Sequence, residues 1–247
     1  MGKIFELIKK INLTTFLSKD LKVQSSELSL KTVRNNGFAL YCIKKQTPEI
    51  CLEAVKNDGD ALRFVKKQTE EICLEAVKEN GFALKFVKEQ TPEICLEAVK
   101  SAGGALCYVK EQTKELCLEA VKEDGDALIF VNDQTEEICL EAVKNYGLAL
   151  YYVEKQTPEI CLEAVKNTGS ALLNVKEGML NEDEHFIKEC KQGNIYVNKI
   201  DGVWLFTIGC QNNITKEEFT KRIHETKGGL TKNPHRQEYL DFLETFN

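Results

Sequence analysis

The stretch Gln90-Thr-Pro-Glu-Ile-Cys-Leu-Glu-Ala-Val-Lys-Ser-Ala-Gly-Gly-Ala-Leu-Cys-Tyr-Val-Lys-Glu111 decides the fold, because it returns every 22 residues along most of the chain. Gln46, Gln68, Gln90, Gln112, Gln134 and Gln156 open successive copies. Gly37, Gly59, Gly81, Gly103, Gly125, Gly147 and Gly169 mark the midpoints. One period upstream, Gln24 opens a divergent first copy, with Leu28, Leu30, Val33 and Gly37 in the expected columns. Seven copies therefore run from Gln24 to Glu177, and a fixed period of this length is the mark of a repeat array.

Within the copy Gln46–Lys67, Thr47 is placed to cap a helix with its hydroxyl, and Pro48 falls at the first helical position, where its missing N–H is harmless. Ile50, Cys51, Ala54 and Val55 recur at helical spacing and form the buried stripe. Gly59 is expected to end the helix in the left-handed conformation. A second short helix follows, expected to bury Ala61, Leu62, Phe64 and Val65 while exposing Arg63, Lys66 and Lys67. Helices this short are marginal alone, so neighbouring copies must supply one another's core. The expected fold class is all-α: an α-solenoid of about seven 22-residue helix-turn-helix repeats, closed by a small β-hairpin plus two-helix C-terminal cap.

The chain divides accordingly. Residues 1–23 read as an amphipathic capping helix, with Ile4, Phe5, Leu7, Ile8 and Ile11 on one face; residues 24–177 are the array. Residues 178–194 read as a degenerate half-repeat, in which Asn181 would cap a further helix with Glu184 in the capping-box position. Residues 195–247 form the cap. Asp201-Gly202 between two β-branched and aromatic runs predicts a hairpin of Ile195–Ile200 and Val203–Ile208. Thr215 and Glu218 predict a capped helix, stapled by Ile214 and Phe219 and ending at Gly228-Gly229. Asn233-Pro234 opens the last one, with Tyr239, Leu240, Leu243 and Phe246 on its apolar face, and Trp204 is expected in the core.

Charge and composition narrow the function. Residues 1–23 carry +3, the array −7 and the remainder −2, making the net −6. An acidic array is a poor phosphate binder, so nucleic acid is not expected as a partner. No apolar run reaches the ~20 residues needed to span a bilayer, and the lysine-interrupted N-terminus lacks a signal-peptide pattern, so no membrane association is expected. Six of the ten cysteines share one column, Cys51, Cys73, Cys95, Cys117, Cys139 and Cys161. They read as small buried hydrophobes in a reducing compartment.

His185, Cys190, Cys210, His224 and His235 lack the short paired spacing of a zinc site, so no metal and no cofactor is expected. The glutamates Glu53, Glu75, Glu97, Glu119, Glu141 and Glu163 each precede a lysine by three, which reads as a solvated ion-pair face rather than an acid–base pair. The Gln column reads as an inter-repeat hydrogen-bonding ladder. No catalytic motif is present, so the protein is not expected to be an enzyme.

What varies between copies lies around the glycine and on the second helix. Phe38, Asp60, Phe82, Asp126 and Leu148 follow the glycine directly; Tyr41, Arg63, Lys85, Ile129 and Tyr151 lie three residues further on. These positions are the candidate partner-binding residues along one edge of the array. Ile129, Leu148, Tyr151 and Leu173 carry an alternative assignment, beneath the C-terminal cap.

The unit Q-T-x-E-I-C-L-E-A-V-K-N-x-G-x-A-L-x-x-V resembles a helical repeat of unknown function that is abundant in giant amoebal viruses of the mimivirus type. The tail Leu205-Phe-Thr-Ile-Gly-Cys-Gln211 and Asn233-Pro-His-Arg236 is similar to the ends of such proteins. The resemblance implies a viral protein of the host cell cytoplasm and brings no catalytic residue. The leading expectation is a non-enzymatic scaffold binding a host or viral protein. A self-associating structural or virion component comes second, and an enzyme or ligand-binding function in residues 195–247 third.

Overall fold

A computed structural model describes residues 26–190, 194–208, 211–225 and 236–246. The expected helix in residues 1–23, Gln24, Gly193, Cys210, Gly228-Gly229, His235 and the Asn233-Pro234 helix start lie outside the described residues, as does the side chain of His224. Seven tandem helix-turn repeats are present, and the chain separates into two compact units, residues 1–89 and 90–247.

The first unit holds α1 (Ser26–Asn35), α2 (Pro48–Asn57) and α3 (Glu70–Glu79), alternating with the 3₁₀ helices η1 (Gly37–Cys42), η2 (Gly59–Phe64) and η3 (Gly81–Phe86). The second holds α4 (Pro92–Ser101), α5 (Lys114–Glu123), α6 (Glu136–Asn145) and α7 (Pro158–Asn167). These alternate with η4 (Gly103–Tyr108), η5 (Gly125–Phe130), η6 (Gly147–Tyr152) and η7 (Gly169–Asn174). A four-stranded sheet and helices α8 (Lys216–Glu225) and α9 (Arg236–Glu244) follow.

Each α-helix from α2 to α7 starts as its sequence predicts. Thr47 Oγ1 accepts from the Ile50 N–H at 3.3 Å, and the threonines of the five later copies do the same. Ile50, Cys51, Ala54 and Val55 and their equivalents are buried in all six helices from α2 to α7.

The helix ends differ from expectation. Asp58, at the C-terminus of α2, is extended (φ −156°), and its carboxylate accepts from the Asp60 N–H at 2.9 Å, capping η2. Gly59 therefore begins the second helix rather than ending the first in a left-handed turn. Only Gly178 and Gly202 have positive φ among the described glycines. Glycine is required in the column because the next α-helix lies against it: a Cβ on Gly59 would stand 3.0 Å from Asn80 Cβ and nearer still to the Ala76 carbonyl oxygen.

The second helix is a single 3₁₀ segment, whose side chains eclipse every three residues. Gly59 and Leu62 form the buried line, continued by Val65 just beyond the helix. Phe64 falls on the adjacent line and is only half-buried, which corrects its placement in the core.

In the second unit, β1 (His185–Lys188), β2 (Ile195–Ile200), β3 (Val203–Ile208) and β4 (Gln211–Thr215) form an antiparallel meander in that order. The expected β2–β3 hairpin is present, with Asp201 (φ 52°) and Gly202 (φ 80°) both left-handed as a type I′ turn demands. No helix follows Asn181. Its side chain instead caps a single turn through the Asp183 N–H (3.1 Å), and the chain leaves as β1, pairing His185 with Asn198. Thr215 caps α8 through the Glu218 N–H at 3.2 Å. Ile195, Val197, Phe206, Phe219, Tyr239 and Leu243 form the core of this module. Trp204 sits at its border, 5.0 Å from the Phe246 ring, half-buried.

This module substitutes for an eighth repeat. In the array, Asn145 Oδ1 accepts from the Gly125 N–H (2.9 Å) while its Nδ2 donates to the Lys122 carbonyl (2.6 Å), and Asn167 repeats this on Gly147 and Lys144. Beyond α7 no further copy exists to do so. Asn212 of β4 takes the role, accepting from the Gly169 N–H (2.6 Å) and donating to the Asn167 carbonyl (2.6 Å). Asn213 donates to the Val165 and Lys166 carbonyls at 2.9 and 2.7 Å. Helix-terminal groups that would otherwise lack partners are thereby satisfied. Replacing both Asn212 and Asn213 by alanine is expected to destabilise the protein by about 2 kcal/mol, and to make amides of α7 and η7 exchange faster in hydrogen-exchange experiments. Unchanged protection there would refute this capping role.

Candidate interaction surface

Within each unit the 3₁₀ geometry brings the sequence-predicted residues together. Each pair, one and four positions after the glycine, lies three apart and therefore eclipses on the outward line of its helix. Consecutive 3₁₀ helices pack side by side within each unit, which turns the pairs into a continuous edge.

In the first unit the edge is an aromatic–cationic cluster. The Arg63 guanidinium lies 5.1 Å from the Phe38 ring centroid, 5.4 Å from Phe64 and 5.0 Å from Phe86, and Lys85 Nζ is 4.8 Å from Phe86. Tyr41, 70% exposed, meets Phe64 edge-on at 5.3 Å. Asp60 ties the cations together, with its Oδ2 3.4 Å from both Arg63 and Lys85, while its Oδ1 accepts from Asn80 Nδ2 at 3.0 Å. Phe82 stands exposed beside them.

In the second unit the edge is mostly apolar. Ile129, Tyr151 and Leu173 are 53, 72 and 57% exposed, so these three do not lie beneath the C-terminal module as their alternative assignment had it. Leu148 is half-buried. Asp126 is half-buried beside Asp124, and burial followed by the Asp124 charge raises its pKa.

A further column escaped the sequence reading. Phe64, Phe86, Tyr108, Phe130 and Tyr152 occupy the fifth position after the glycine, and Tyr108 and Phe130 are exposed. The tyrosines were the available signal, since a phenol at a true core position needs a buried partner.

The Gln column forms the expected ladder. Gln68 Nε2 donates to the Phe86 carbonyl at 2.9 Å, and its Oε1 accepts from the Lys88 N–H at 3.0 Å, so it ties the loop after one 3₁₀ helix to the loop after the next. Gln46, Gln90, Gln112, Gln134 and Gln156 repeat both bonds. Each Oε1 also faces a column thiol, from 3.9 Å at Cys51 to 3.4 Å at Cys161. Burial raises all six thiol pKa values, those of Cys139 and Cys161 to about 11. Such thiols stay protonated and unreactive at neutral pH.

The glutamate ladder is looser than its spacing suggests. Glu97 meets Lys100 at 3.9 Å, whereas Glu53 turns to Arg34 at 2.6 Å, and this hydrogen bond holds its carboxyl below the usual range. His185 is buried against Asn198, its Nδ1 3.1 Å from Asn198 Oδ1. Among the described residues no cluster of three potential metal ligands occurs, and no helix is long and apolar enough to cross a membrane.

Fold and edges together define a helical-repeat protein whose divergent positions lie on the outward line of the 3₁₀ helices in each unit. The family described as Domain of unknown function (DUF4116) matches residues 25–69, 47–90, 69–114, 113–157 and 135–180, and the chain belongs to it. No curated protein and no solved structure matches the chain.

Proposed function

We propose that the protein is a non-enzymatic scaffold that binds another protein along the 3₁₀ edges of its two units. The observation that carries this is the run of exposed aromatic and aliphatic side chains there, Tyr41 and Phe82 in the first unit, Ile129 and Tyr151 in the second. A single exposed apolar side chain is ordinary, but recurrence on the outward edge of packed 3₁₀ helices within a unit points to an interaction site. The copies keep their core columns and differ on these outward lines, which suits a surface tuned position by position to a partner. The resemblance to giant-virus repeats supports a viral origin and a working place in the reducing cytoplasm of an amoebal host, where the column thiols persist.

The test is capture from amoebal lysate on the immobilised protein. Ile129→Ser with Tyr151→Ser is expected to abolish retention of the captured protein and leave the melting temperature unchanged. Equal retention by parent and variant would overturn the proposal.

A further inference from the structure

The two units carry different charge on otherwise equivalent edges. Over residues 37–45, 59–67 and 81–89, the 3₁₀ helices and following loops of the first unit hold seven Lys and Arg against two carboxylates, Asp60 and Glu89. The equivalent segments of the second unit, 103–111, 125–133, 147–155 and 169–177, hold three against five. The α-helices of the first unit are acidic on balance, so basic charge is concentrated on the edge although the whole chain is acidic. The doublets Lys44-Lys45 and Lys66-Lys67 are exposed, and Lys66 Nζ is held at the Lys44 carbonyl at 2.9 Å, which fixes part of the charge in place.

The geometry points to an acidic peptide segment bearing large apolar side chains as the occupant of the first unit's edge. This rests on the scaffold reading above and names the partner's chemistry. Carboxylates complement the lysine doublets, and apolar side chains of the peptide meet Tyr41 and Phe82. The cluster is already ordered by the Arg63 stack and the Asp60 bridge, which lowers the entropy lost on binding. Single-stranded nucleic acid suits the edge less well. Base stacking needs open ring faces, whereas Arg63 lies over Phe38, Phe64 and Phe86.

The full chain is tested by fluorescence anisotropy with a labelled peptide of glutamates interspersed with leucine and tryptophan. Three control probes accompany it: a lysine-for-glutamate counterpart, a serine-for-apolar counterpart and oligouridylate. Lys44→Glu, Lys45→Glu and Lys67→Glu combined are expected to weaken binding at least about tenfold. Tyr41→Ser with Phe82→Ser should weaken it by a similar factor, and Lys56→Glu with Lys78→Glu on the helical face by less than about twofold. Thermal melts confirm that each variant is folded.

Absence of binding by the parent chain, equal effects of edge and helical-face reversals, or tighter binding of oligouridylate would each overturn the inference. If lysate capture depends on Ile129 and Tyr151 but ignores every first-unit change, the scaffold reading stands and this inference falls.

Discussion

Gly103→Ala is expected to destabilise the protein by about 3 kcal/mol, lowering its melting temperature by roughly 6–12 °C. A Cβ at Gly103 would stand 2.8 Å from Asp124 Cβ and nearer still to the Ala120 carbonyl oxygen. Neither neighbour is the flexible end of a side chain; both belong to the next helix turn, so α5 itself must retreat from η4. The backbone at Gly103 is not left-handed, which means that intrinsic conformational strain contributes nothing and the whole penalty comes from the steric overlap and the helix displacement it forces. Gly178→Ala is the control. There φ is +77° with no atom within 4 Å of the added methyl, and only the left-handed penalty of about 1 kcal/mol applies. If both substitutions destabilise alike, the glycine column is conformational after all and the close approach is wrong.

That contrast also shows where sequence reading stops. The interval between glycines, the Thr47-type caps and the Ile50, Cys51, Ala54, Val55 stripe are local or periodic features, and each is legible in one chain. A helix-ending glycine and a close-approach glycine look identical in sequence, because the atom that decides between them belongs to the next repeat. The 3₁₀ character of η2 was hidden for a similar reason: six residues are too few for a period of three to stand apart from 3.6.

Strand β4, Gln-Asn-Asn-Ile-Thr, has weak strand propensity, and its pairing is understood only once Asn212 and Asn213 are seen to complete α7. The candidate edge itself was legible as variation between copies. Its aromatic column at Phe64 and Phe130 was not, because a phenylalanine at a recurring position reads as core whether or not a neighbour covers it.

Raising the pH from 9 towards 11 is expected to strip the protein of stability faster than its lysines and tyrosines alone would dictate. Cys139 and Cys161 are held at about 11 by burial, and nearby glutamates add to this at Cys139. An unfolded thiol titrates at about 8.5. Between those values the unfolded chain has released the proton and the folded chain keeps it. The folded state thus binds more protons, and stability falls with increasing pH. The contribution is complete below about pH 8.5 and gone above about 11, amounting to on the order of 3 kcal/mol for each of these two thiols.

Cys51, Cys73, Cys95 and Cys117 shift in the same direction for the same reason, so the loss accumulates along the column. The glutamine ladder sharpens it. Each Oε1 that accepts from a thiol, as Gln156 does from Cys161 at 3.4 Å, would face a negatively charged sulfur once that thiol ionised. Thermal melts between pH 7 and 10.5 on the parent and on Cys139→Ala with Cys161→Ala provide the comparison. The double variant should be less stable at pH 7, from the lost packing, yet decline more gently above pH 9. Parallel declines would show that the buried thiols do not set the alkaline limit of the array.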